Sequence, residues 1–261
     1  MTSIAIIWLS AFMLLWLPGV ALQRLLRVPF HADWLVALAL QIGLGMAWWP
    51  LLLLWSSTLG VAWSPPVARL AMLALFLGGA VALLWVSRQA WQRRMHSLAH
   101  QAIYLTVWGC VAVLAIATRL LQIRSLALPA WVDSIHHVAI VRLIVAQGQL
   151  PATLDPYVPR GALTYHWGFH AATAWLAWLL GTSDAFAVAD LVLQVGQIFN
   201  VLAVLMLYAA ARVLFASRRA GLLAAASAAC LTWFPAYFVT WGRYTHLAGV
   251  LLLLAALIGL W

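Results

Sequence analysis

Asp133, His136, His137, Asp155, Tyr157, Arg160, Tyr165, His166 and His170 lie within residues 131–170 of a chain that has only five acidic residues and eight histidines in all. These are the side-chain types that take up and release protons, ligate metals or hold phosphate. Asp133 and His137 are i and i+4, which puts them on one face of a helix. His166 and His170 share that interval, the spacing of a helical metal pair, although the sequence fixes no third ligand for them. A second, shorter polar interruption carries Arg243, Tyr244 and His246. Apart from short arginine-bearing segments, the rest of the chain is almost entirely lipid-compatible. Ionisable groups are costly to keep near a bilayer, so the clusters mark where chemistry should be sought.

The elements that must hold these residues follow from pattern. Residues 133–147 read as an amphipathic helix, with Val138, Ile140, Val141, Leu143 and Ile144 supplying apolar surface for a membrane boundary. Gly148 is placed to end it, and Pro151, Pro156 and Pro159 keep the chain irregular past Asp155 and Tyr157. Asp133 has a plainer use open to it, capping the helix it begins. His136 and His137 also suit a polar interface, and Arg142 reads as a residue that snorkels to one. The next apolar stretch, 167–180, is well short of the roughly 20 residues needed to span hydrocarbon.

Composition defines the class: 67% of residues are hydrophobic, 7% are charged, and the mean hydropathy is +1.02. The net charge of +9 is carried entirely by arginine, in short segments between apolar runs. That distribution orients membrane helices and argues against nucleic acid as a partner. Apolar runs at about 3–22, 34–55, 70–86, 102–118, 185–210, 220–240 and 247–261 predict seven spans. With 167–180 interfacial or re-entrant, the arginine-rich segments fall on the cytoplasmic side and the N-terminus outside. The expected fold class is therefore all-α: a polytopic transmembrane helix bundle with a long external loop, about 119–184, containing the amphipathic helix and a re-entrant or interfacial one. Cys110 and Cys230 sit in apolar runs and read as packing residues. The first apolar stretch has no basic leader and reads as a permanent anchor, and the run ending at Trp261 reads as part of a longer membrane protein.

In this order, WVDSIHH (131–137), GQLP (148–151), LTYHWGFH (163–170) and the arginine-ended span YAAARVLFASRRAG (208–221) resemble the N-terminal module of GT-C membrane glycosyltransferases. That class includes protein O-mannosyltransferases and aminoarabinose transferases. TWGRYTHLAG (240–249) is similar to a motif of its prokaryotic members. The resemblance covers about 102–261 and makes 1–101 a three-helix membrane extension.

What the resemblance implies is transfer of a sugar from a polyprenyl-phosphate carrier to an acceptor glycan, lipid or protein at the external face of a prokaryotic plasma membrane. The catalytic acid of such enzymes falls on Asp133, which would take the proton of the acceptor hydroxyl, with His137 one turn along to orient it. Arg160 and Arg243 would hold the leaving phosphate, or else anchor lipid headgroups. His136, Asp155, Tyr157, Tyr165, His166, His170 and Tyr244 complete the implied substrate-binding set, with Trp131, Trp167 and Trp241 able to stack on sugar. The segment 241–246 departs from the pattern in having no acid, which leaves a divalent cation open. The alternatives are a transporter or lipid-handling permease without bond chemistry, which should carry its ionisable residues inside the spans, and an assembly subunit.

Overall fold

In the computed structural model, residues 3–28, 31–84, 102–158 and 165–260 are described, and their regular elements are helices. They are α1 (Ile4–Leu25), α2 (Trp34–Thr58), α3 (Pro65–Leu84), α4 (Ala102–Ile123), α5 (Val132–Gln147), α6 (Gly168–Leu180), α7 (Ala185–Leu214), α8 (Arg218–Cys230) and α9 (Tyr244–Leu260), with a broken segment between the last two. Short polar side chains start several of them. Ser3, Asp33, Asp184 and Ser217 each accept a hydrogen bond from a first-turn amide, and Pro65 opens α3 where its missing N–H costs nothing. Helices α1 to α4 and α7 are long and apolar enough to cross a membrane, a sixth span results if α8 and Trp233–Thr240 count together, and α9 is shorter at 17 residues. The chain is an all-α membrane helix bundle.

The run expected as one span over 220–240 is broken. Helix α8 stops at Cys230, and Phe234, ahead of Pro235, is extended at φ −124°, ψ 130°. In lipid the carbonyls freed by such a break must find donors within the protein. Arg119 Nη2 donates to the freed Ala228 O at 3.1 Å, and Gln122 Nε2 adds a contact to Ala236 O, past the break, at 3.4 Å. Both donors lie on α4, which runs on to Ile123, so the following loop starts beyond Arg119 and that arginine is buried inside a helix.

Polar contacts define two ends of the bundle. At one end Asp33 meets Arg212 and Arg218, and Arg218 covers the ring of Tyr104. At the other, Trp63 N donates to Gly148 O at 2.7 Å and Leu150 N to Ser57 Oγ at 2.9 Å, fastening the exit of α5 to the α2–α3 connection. Gly148 ends α5 in the left-handed conformation at φ 69°, as its place in the sequence predicts.

Helix α6 begins and ends at this second end. His170 in its first turn touches α5, and Trp178 O in its last turn accepts from Arg69 Nε, just inside α3. Its residues Phe169 to Trp178 are all buried in the bundle, with Trp175 Nε1 donating to Trp49 O and Trp178 Nε1 to Val145 O. Helix α5 also differs from expectation. Ile140, Val141 and Ile144 face the common core instead of a membrane boundary, Leu143 is also buried, and the large apolar side chains it exposes are Val132 and Ile135, beside Trp131. The same core takes in α1 to α3, so the helices ahead of Ala102 pack directly on those that follow it.

Candidate active site

The N-terminal turn of α5 and the turn before α9 come together at this end. Asp133 is the second residue of α5; Trp131 occupies the N-cap position and makes no side-chain cap. The carboxylate does not cap its helix. Its Oδ2 lies 3.1 Å from Arg243 Nη1, and the Arg243 guanidinium also stacks on the indole of Trp241 at 4.4 Å. Asp133 and Arg243 are 33% and 39% exposed, and a pair this wet contributes roughly 0.2–1 kcal/mol. Something firmer holds the turn in place.

That firmer contact is buried. Gly242, at φ +66°, turns the chain sharply in a conformation side chains rarely adopt, and a Cβ there would stand 3.0 Å from Ser134 Oγ and 3.3 Å from Asp133 Cβ. Its carbonyl accepts from His137 Nε2 at 2.8 Å. Just behind it, Tyr244 stacks on Phe169 with ring centroids 5.0 Å apart and planes at 13°. Helices α5, α6 and α9 are thus tied together at one backbone turn, and Arg243 is the residue that turn presents.

His137 also meets His170, Nδ1 to Nε2, at 2.8 Å, while His170 Nδ1 donates to His166 O at 2.9 Å. Two carbonyls at the ends of this chain must each receive an N–H, which places one proton on His137 Nε2 and one on His170 Nδ1. The nitrogens that face each other then need a third proton for their own hydrogen bond. Burial opposes it: His170 is pushed well below the usual histidine range, by desolvation and then by His137. Desolvation also lowers His137, against the opposing pull of the Gly242 carbonyl and the Asp133 charge. Burial therefore favours the neutral form of both rings, which leaves the pair one proton short.

A groove of about 580 Å³ opens beside Arg243. His166, Trp241, Arg243 and His246 line its polar part; Gly249, Val250 and Leu253 continue it along one side of α9. On the other flank of α5, a second groove of about 600 Å³ runs past Trp131, Ile135 and Arg142 to Tyr157, whose ring lies 5.4 Å from the Arg142 guanidinium. Arg142 therefore binds an aromatic partner as well as lying toward the surface.

Of the residues singled out in the sequence, Asp133, His137, Tyr165, His166, His170, Arg243 and Tyr244 are brought together. His136 points outward and is exposed, Asp155 is exposed on the loop, and Tyr157 belongs to the second groove. Arg160 lies outside the described residues. His137 shares a helix face with Asp133 but bonds Gly242 and His170, so it positions the turn and does not touch the groove. The His166–His170 metal pair does not form: Trp167 is the N-cap of α6, His166 precedes the helix, and both ring nitrogens of His170 are engaged. The donor set does not fit a divalent cation either. Asp133 is bound to a guanidinium, and no cluster of three or more histidines, cysteines and acids able to hold a metal ion occurs among the described residues.

Sequence reasoning passed over Gly242 and Ser134. The Gly between Trp241 and Arg243 is a turn signal that would have flagged the first; nothing local flags Ser134, which is buried with its hydroxyl on Ala130 O. No protein-family model, no curated protein and no solved structure matches the chain.

Proposed function

We propose that the protein is a multi-pass glycosyltransferase resembling the GT-C class, which transfers a sugar from a polyprenyl-phosphate-linked donor to an acceptor at the external face of a prokaryotic plasma membrane. The observation that carries this reading is Arg243, which pairs with Asp133 and itself lines the polar part of a groove that turns apolar along α9. A lipid phosphate needs both halves: guanidinium and imidazole donors for the phosphate, and an apolar wall for the isoprenoid. For orientation we keep the positive-inside reading of the sequence, although among the described residues the opposite end carries Arg24, Arg27, Arg212, Arg218 and Arg219 against Arg69, Arg124, Arg142 and Arg243 at this one.

In this mechanism Arg243 exchanges Asp133 for the donor phosphate, which frees the carboxylate. The acceptor hydroxyl gives its proton to Asp133 as its oxygen bonds the anomeric carbon from the face opposite the leaving group. The anomeric carbon–oxygen bond to phosphate breaks, and its electron pair departs on the lipid phosphate held by Arg243. Configuration at the anomeric carbon is inverted.

A specific observation favours the permease reading: α7 carries Asp190, Gln194, Gln197 and Asn200 down one inward side, ending on buried Arg119, whose Nε donates to Asn200 Oδ1 at 2.9 Å. Such residues inside spans are the mark of a transport path. Arg119 also satisfies a freed carbonyl, which accounts for its place structurally. Incubation of the purified full chain with a radiolabelled polyprenyl-phosphate sugar and acceptor membranes separates the two readings. Covalent transfer abolished by Asp133→Asn supports the transferase. Movement of the intact glycolipid across vesicles without bond cleavage replaces it with the permease.

A further inference from the structure

At the end of the bundle opposite Asp133, the tight connection between α7 and α8 forms a concave site of about 500 Å³ lined by Tyr104, Arg212, Ala216, Ser217, Arg218 and Arg219. Ala216 makes the turn in the left-handed region, at φ 50°, and Ser217 caps α8 by accepting from Ala220 N at 3.3 Å. The first-turn amides of α8 beyond the capped one point out of the helix, and its positive dipole end faces the same way.

Three guanidiniums line the site, and two of them share one acid. Asp33 lies beneath the site, 2% exposed, and its carboxylate is fully used: Oδ1 accepts from Leu35 N, and Oδ2 from the Tyr208 hydroxyl at 3.1 Å while lying 3.3 Å from Arg212 Nε and 3.5 Å from Arg218 Nε. Those two Nε atoms are buried and make no well-aligned hydrogen bond among the described residues. Arg219 is exposed and has no acidic partner among them. One carboxylate against three guanidiniums leaves the lining with a surplus of positive charge. Positive-inside bias accounts for arginines on this side of a membrane, but not for three of them converging on one hollow around a saturated acid.

We propose that this hollow binds the phosphate of an anionic phospholipid headgroup. Charge complementarity supplies the first argument, and the collar supplies the second: Leu214, Phe215 and Leu223 beside it are 62%, 66% and 69% exposed, an apolar surface for the acyl chains of a molecule whose phosphate sits among the arginines. A phosphate on a lipid satisfies both at once. The site stands apart from the groove at Arg243 and does not depend on the transferase reading.

The test uses the full chain in neutral detergent, with phosphatidylglycerol, phosphatidylcholine or inorganic phosphate added, read by native mass spectrometry and by the thermal unfolding midpoint. Phosphatidylglycerol should remain bound and raise the midpoint, and phosphatidylcholine should not. Arg219→Gln, at an exposed position that leaves Asp33 untouched, should weaken phosphatidylglycerol binding about tenfold, the loss of one charge-assisted contact, and Arg218→Gln with Arg219→Gln should abolish it. Equal binding of the two lipids, or unchanged affinity in a double variant whose circular dichroism is native, overturns the proposal. Inorganic phosphate that binds as tightly as the lipid and displaces it makes this a free-phosphate site and overturns the lipid assignment.

Discussion

His137 Nδ1 and His170 Nε2 meet at 2.8 Å across the α5–α6 contact, and the outer nitrogen of each ring is already committed to a backbone carbonyl. The pair is short of one proton when both rings are neutral. Asp133, His136, Arg243, Tyr165, His166 and Tyr244 surround it; Asp133 favours the extra charge, whereas Arg243 and the other histidines oppose it.

The sign of the resulting pH dependence follows from burial. Both rings bind protons less readily in the fold than at the ordinary histidine value of 6.5. Their contribution to stability is complete above 6.5 and is lost as pH falls below it toward the folded values, because there the unfolded chain takes up protons that the folded pair declines. We expect the unfolding midpoint of the wild type to drop as pH is lowered from 7 through this window, and His170→Gln to flatten the drop. A slope unchanged by that substitution would mean that the pair does not control it.

Gly242 makes a second prediction. An alanine there must hold φ near +66° and also press on Ser134 Oγ and Asp133, so Gly242→Ala should destabilise the fold by about 1–3 kcal/mol and displace Arg243. Denaturant unfolding checks the first effect. The second should appear as weakened donor binding beyond what the lost stability explains. Wild-type donor affinity would show that Arg243 is positioned by something other than this turn.

Much of the architecture was legible because it is periodic. The apolar runs became helices, and the stop at Gly148 lies where local chemistry puts it. Three features were not. The direction of the α5 apolar face depends on whether α6 or lipid covers it, and Val138 to Ile144 read the same in both cases. The break at Phe234 leaves Ala228 O without its helical amide inside an apolar run, and its donor, Arg119, lies over a hundred residues earlier. The site is hardest of all: Asp133 and Arg243 are 110 positions apart, and only the fold pairs them. The equal spacing of Asp133–His137 and His166–His170 predicted paired side chains, whereas the contact that forms joins one member of each.

Topology yields a third prediction. In a background with Cys110 and Cys230 replaced by Ser, single cysteines at Thr153 and at Arg219, both exposed and at opposite ends of the bundle, should differ in intact cells. An impermeant thiol reagent should label position 153 and leave position 219 unlabelled until the membrane is opened. Labelling of 219 from outside would reverse the orientation and place the Asp133 groove in the cytoplasm.

The role of Asp133 can be separated from its structural worth by comparing two measurements on one isostere. Asp133→Asn removes the charge but not the shape, and since Asp133 is inside the first turn and caps nothing, no cap is lost. The pair with Arg243 is a third exposed on the acid side, so its loss, together with the weaker helix-dipole interaction, should cost no more than about 1–2 kcal/mol of stability. If the carboxylate takes the acceptor proton, transfer should fall by roughly 100-fold or more, because an amide cannot accept a proton at neutral pH. Arg243→Gln should instead raise the donor concentration required, by the equivalent of about 1.5–3 kcal/mol, since it removes a charge-assisted phosphate contact. A variant of Asp133 that folds, binds donor and turns over at the wild-type rate would reduce the pair to a surface ion pair and leave the groove as a lipid-binding feature without chemistry.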